Sequence, residues 1–102
     1  MGRLADNRRM SIDDRLVHRA YTLVEAGVPI DAAIEDLVTV AHGSSSSLEA
    51  ACVKADRYSP IDVASGAEAL ELAGFDPDLG RLAGRRHSQI SELLGRAFRA
   101  VA

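Results

Sequence analysis

Five arginines close the sequence, Arg81, Arg85, Arg86, Arg96 and Arg99, with Glu92 the one acid among them. If residues 86–101 form a helix, then Arg85, Gln89, Glu92, Arg96 and Arg99 recur every three or four residues along one ridge. Neighbours on such a ridge stand about 5–6 Å apart, a spacing suited to phosphates or to the carboxylates of an acidic partner. A solvated helix face explains the same residues more simply, with its later arginines facing the negative end of the helix dipole.

The second candidate is a run of small polar residues, Gly43, Ser44, Ser45, Ser46 and Ser47. Placed before a helix, such a loop offers free N–H groups and a positive dipole end to an anion. The loop holds no Lys or Arg and does not follow the glycine-rich phosphate-loop pattern. A polar link ending in a helix cap is the simpler account, with Ser46 and Glu49 at capping-box spacing.

Other reactive side chains are scattered. Cys52 falls on the apolar side of its helix beside Leu48, Ala51 and Ala55, which predicts an inert thiol. His18 lies four residues after Asp14 and suits a surface pair. His42 stands at a helix end, and His87 at the edge of the last helix. No His-x-x-His, Glu-x-x-His or Cys-x-x-Cys spacing occurs, so no metal and no cofactor is expected. No nucleophile is marked by an adjacent base, so no catalytic residue is assigned and the chain reads as a non-enzyme.

Leu23–Ile34 places a Gly-Val turn between two helices, as a DNA-reading helix-turn-helix does. The helix after that turn carries Asp31, Glu35 and Asp36 and no cation, and phosphates repel it. An αα-hairpin is the better reading.

The elements that hold these residues are helices. Ser11 caps the first, with Asp13 and Asp14 in its first turn and Leu16, Ala20, Leu23 and Val24 as its stripe. Gly27 ends it. Pro29 opens the second at its first helical position, where Ile30, Ala33, Ile34, Leu37, Val38 and Ala41 keep the 3.6-residue period, and Gly43 closes it. A third runs through Leu48, Ala51, Cys52 and Ala55. One helix or two follow over 60–73, and a short one begins at Asp76-Pro77 and runs through Leu79 and Leu82. The last, over 86–101, stripes Ile90, Leu93, Leu94, Ala97, Phe98 and Val101. No run alternates with period two, so no sheet is expected. The fold class is all-α, a compact bundle of four to six short helices.

With 102 residues, 47% of them hydrophobic and 26% charged, the chain has the make-up of one globular domain rather than a disordered tail. That domain is assigned to 11–102, with 1–10 as an N-terminal arm or tag remnant. Only four residues are aromatic, and much of the apolar content is Ala, which brings helices close but buries little area. Burying Leu and Val between two copies would offset that deficit, so a homodimer is expected. The net charge of −3 divides into +2 over residues 1–19, −9 over 20–78 and +4 over 79–102. Mutual attraction of these segments accounts for the pattern, within one chain or across a dimer. No apolar run reaches the roughly 18–20 residues of a membrane span, no secretory leader is evident, and one Cys forms no internal disulfide, so a cytoplasmic setting is expected.

Function is read as a helical protein–protein interaction or regulatory module with an unidentified protein partner. Nucleic-acid binding through the arginine ridge is the alternative, disfavoured by an acidic pI near 5.5 and by the lack of aromatics among the arginines. A small-molecule pocket between helices, near His42, Cys52 or His87, is the third reading.

Overall fold

A computed structural model of the chain describes residues 11–57 and 86–102. These form four helices and no strand: α1 Ile12–Glu25, α2 Ile30–Val40, α3 Ser45–Arg57 and α4 His87–Val101. The helices expected over 60–73 and 76–82 lie outside the described residues, as do the arm at 1–10, Arg81 and Arg85.

Helix α1 starts where its cap requires. Ser11 is extended, and its hydroxyl accepts the N–H of Asp14 at 3.4 Å, an N–H that also meets Asp13 Oδ1 at 3.1 Å. At the far end Gly27 takes a left-handed φ of +71°. Its N–H donates to the Val24 carbonyl, and that of Val28 to the Leu23 carbonyl, both at 3.1 Å. This is the paired closure that glycine permits, because it has no Cβ to clash in that conformation.

Two helix starts differ from the sequence expectation. Pro29 precedes α2 as its cap, one residue before the expected position, with its carbonyl receiving the Ala33 N–H at 2.9 Å. The cap of α3 is Ser44, not Ser46. Its Oγ accepts the Ser47 N–H at 3.2 Å and its carbonyl accepts that of Leu48 at 3.2 Å. Ser45–Ser47 are therefore the first turn of a helix rather than a polar link. Of the four successive serines, Ser44 is the one used.

The end of α2 also differs. His42, not a glycine, takes the first left-handed position with φ +54°, and Gly43 follows at +70°. The His42 and Gly43 N–H groups close onto the carbonyls of Thr39 and Val38 at 3.0 and 2.9 Å.

The core is drawn from all four helices. Leu16, Val17, Ala20 and Leu23 come from α1, Ala33 and Leu37 from α2, Leu48, Ala51 and Ala55 from α3, and Ile90, Leu93, Leu94 and Ala97 from α4. No polar or charged residue among those described is buried with them. Helix α4 packs most extensively on α3 and then on α2, while α1 lies mainly on α3. The alanines on α1, α3 and α4 let these helices approach closely, and Tyr21 and Phe98 flank the core half-buried. The aliphatic stripes predicted for α1, α3 and α4 thus meet one another. Among the described residues, no helix is long and apolar enough to cross a membrane.

Candidate functional site

The turn joining α1 to α2 borders one of the concavities among the described residues. Closure at Gly27 folds Val28 back against the end of α1, and Pro29, with φ −56°, redirects the chain into α2. Ile30 is thereby the first residue of α2, beyond the reach of the core. It was expected on the buried stripe, yet it is 44% exposed. A first helical residue overhangs the end of its helix, so correct periodicity alone does not bury it.

Helix α4 passes this corner and completes an open groove of about 400 Å³. Leu23, Val24, Val28, Ile30, Ala33 and Leu93 give it an apolar lining, while Gln89, Glu92 and Arg96 form its rim on α4. The volume lies in the range of small-ligand or side-chain pockets. Arg96 donates twice to Glu92 Oε2, from Nε at 3.2 Å and from a terminal nitrogen at 3.1 Å. The charged rim groups therefore satisfy one another, and the groove is suited to receiving aliphatic or aromatic surface.

The arginine ridge is only partly a free ridge. Arg86 reaches back to Glu25 on α1 at 3.2 Å, and Arg96 is engaged by Glu92. The guanidinium of Arg99 lies over Gly95, and its positive charge is felt at Cys52. The pairs Arg86–Glu25 and Arg19–Asp36, the latter on α1 and α2, each join a basic segment of the sequence to the acidic one within one chain, whereas Arg96–Glu92 lies inside the last segment. Arg19 and Asp36 form a two-pronged pair, both bonds 2.7 Å. The guanidinium holds the Asp36 carboxyl below its usual range, by its hydrogen bonds first, against a smaller opposing effect of burial.

The residues expected as an anion loop, Gly43, Ser44, Ser45, Ser46 and Ser47, lie at the closing turn of α2 and the start of α3. Ser44 Oγ serves the helix cap and meets Ser46 Oγ at 3.1 Å. Ser46 borders a second hollow with Glu49, Val53 and Arg57, where Val53 is 60% exposed. Gly43 is the second residue of the turn that closes α2.

Cys52 is half-buried against the core. Burial, assisted by Asp56 and Glu49, pushes its thiol above the ordinary value and outweighs the opposing pull of Arg99. The thiol is kept protonated, and a protonated thiol is a poor nucleophile. His18 is exposed beside Arg15 and Arg19, and its expected partner Asp14 instead meets Lys54. His87 begins α4 with Nδ1 shielded from water and without a hydrogen-bond partner. Among the described residues, no group of three or more His, Cys, Asp or Glu could hold a metal ion.

The sequence reading missed the groove itself. The available signal was an isoleucine immediately after a helix-opening proline, at a corner the chain must turn. Comparison of the chain with protein-family models, with curated proteins and with solved structures finds no match.

Proposed function

We propose that this chain is a non-enzymatic helical interaction module that binds another polypeptide, including a second copy of itself, through the groove at the α1–α2 corner. The observation that carries the reading is the exposure of Ile30 on an apolar groove whose charged rim groups pair with each other. Apolar surface left open beside satisfied polar groups gains from being covered by apolar surface of a partner. The reactive side chains support binding rather than turnover. Cys52, on α3 outside the groove lining, is held protonated, and the rim carboxylate Glu92 is taken by Arg96.

Site-specific photo-crosslinking tests the proposal. A photoreactive side chain replacing Ile30 is compared with one replacing Ala50, which is exposed on α3 away from the groove and from the outer faces of α2 and α4. Crosslinks to a polypeptide from position 30 and none from position 50 are expected, in purified protein or in native lysate. Equal labelling from both positions, or none from either, overturns the assignment.

A further inference from the structure

We infer that the face shared by α2 and α4 joins two copies of this chain about a twofold axis that lays α2 of one copy along α4 of the other. The inference rests on the interaction-module reading and names the partner.

Charge decides the occupant. Helix α2 carries Asp31, Glu35 and Asp36 and no cation. Asp36 is taken by Arg19 of α1, whereas Asp31 and Glu35 stand exposed with no ion pair among the described residues. Helix α4, packed beside α2, has the opposite balance on its outward side, where exposed Arg96 gives two of its five N–H groups to Glu92 and exposed Arg99 leaves the ridge with a net positive charge. One acidic ridge and one basic ridge thus run side by side. A twofold axis between them sets the acidic ridge of each copy on the basic ridge of the other, and symmetry makes that favourable contact twice. Placing like helices together would set carboxylates against carboxylates and arginines against arginines. An unrelated partner would need both ridges matched separately, whereas a second copy already carries the match.

Apolar surface supplies what the charges do not. Ile30 and the mouth of the groove lie on the same side as the α4 rim, available to be covered in the pairing. Helices of 11 and 15 residues are roughly 16 and 22 Å long at 1.5 Å per residue, and packed helices lie about 8–10 Å apart. A face of roughly 20 Å square is about 400 Å² on each copy, below stable interfaces and in the range of weak, transient ones. Pairing is therefore expected to be concentration-dependent, with a dissociation constant in the micromolar range.

Sedimentation equilibrium of the full chain tests this. Wild type is expected to pass from monomer to dimer across that range, and to weaken with added salt because exposed ion pairs are screened. Asp31→Arg with Glu35→Arg is expected to weaken pairing at least tenfold, and Arg96→Glu with Arg99→Glu likewise. Mixing the two doubly substituted chains should restore a one-to-one heterodimer, because each altered ridge then meets an opposite one. Arg96→Gln with Arg99→Gln serves should the reversed variant lose its helical circular dichroism, and a tenfold weakening is again expected. A wild type that stays monomeric at high concentration overturns the inference, and so does a dimer indifferent to these substitutions. If the wild type is monomeric while position 30 still crosslinks to another protein, the dimer fails and the module reading stands.

Discussion

The ammonium of Lys54, on α3, lies 3.0 Å from Asp14 Oδ1 and 3.7 Å from Asp13 Oδ2, both in the first turn of α1. Forty residues of sequence separate Lys54 from Asp14, yet their side chains are only 17% and 14% exposed. Asp14 Oδ1 is shielded from water altogether. The pair therefore fastens the start of α1 to the helix on which α1 mainly lies.

Replacing Lys54 by Met keeps the aliphatic stem and leaves two partly buried carboxylates facing no ammonium. Breaking an exposed pair costs about 0–1 kcal/mol and breaking a buried one about 3–5, so a loss of roughly 1–3 kcal/mol is expected here. Urea denaturation at neutral pH measures it. An unchanged midpoint would mean that the contact holds nothing together.

Acid should unfold the chain in a defined window. Burial pushes the Asp13 carboxyl up, but the Ser11 hydroxyl, Lys54 and nearby backbone N–H groups outweigh it and hold it below its ordinary value. Asp36 is held down by Arg19. A carboxylate depressed in the folded state contributes its full stability above its unfolded pKa, about 3.9, and loses it as pH falls through the folded value. The urea midpoint should therefore stay level from neutral pH to about pH 5 as far as these groups act, and drop below about pH 4. Arg19→Gln should make that drop shallower by releasing Asp36. A midpoint that rises between pH 4 and 2 contradicts the assignment.

What could be read in the sequence was whatever one helix decides by itself. The stripe Ile90, Leu93, Leu94, Ala97, Phe98 and Val101 follows a 3.6-residue period, and its first four residues are buried while Phe98 and Val101 are partly buried at its edge. The cap at Ser11 was readable from its place just before the apolar stripe. Ser44 could not be told from Ser46, because both are serines with a backbone N–H three positions on to cap. The pairs Arg86–Glu25 and Lys54–Asp14 depend on which helices lie together, a matter no local pattern specifies. The groove belongs to the same class, since its walls come from α1, α2 and α4 and it exists only after they pack.

His42 should be improvable. It holds a left-handed φ of +54°, where a side chain crowds the backbone and only glycine is free of penalty. The same turn after α1 uses Gly27, at φ +71° with nothing within 4 Å of a Cβ placed there. Neighbouring atoms thus leave room at position 27, and any penalty for a side chain there is purely conformational. His42→Gly is expected to stabilise by about 0.5–1 kcal/mol, and Gly27→Ala to destabilise by about 1 kcal/mol. Thermal denaturation of the two variants side by side decides it. If both shift the midpoint the same way, backbone conformation is not what sets these positions.

The last helix should be indispensable. It contributes Ile90, Leu93, Leu94 and Ala97 to the buried core and packs on each of the other three helices. A chain ending at Arg85 would leave the inner faces of α2 and α3 open to water, including Leu37 and Leu48, which are fully buried in the whole chain. The cores of α1, α2 and α3 are rich in Ala, so the aliphatic area left to hold them together is small. Such a chain is expected to lose cooperative thermal unfolding and to bind an apolar dye. Leu94→Ala probes the same packing more gently, because it removes a fully buried side chain and leaves the helix intact. Its cost should be about 2–5 kcal/mol, within reach of the whole stability of a domain this size. A sharp thermal transition in the shortened chain would show that α1, α2 and α3 form a core without α4, and the packing described here would not be what holds the fold.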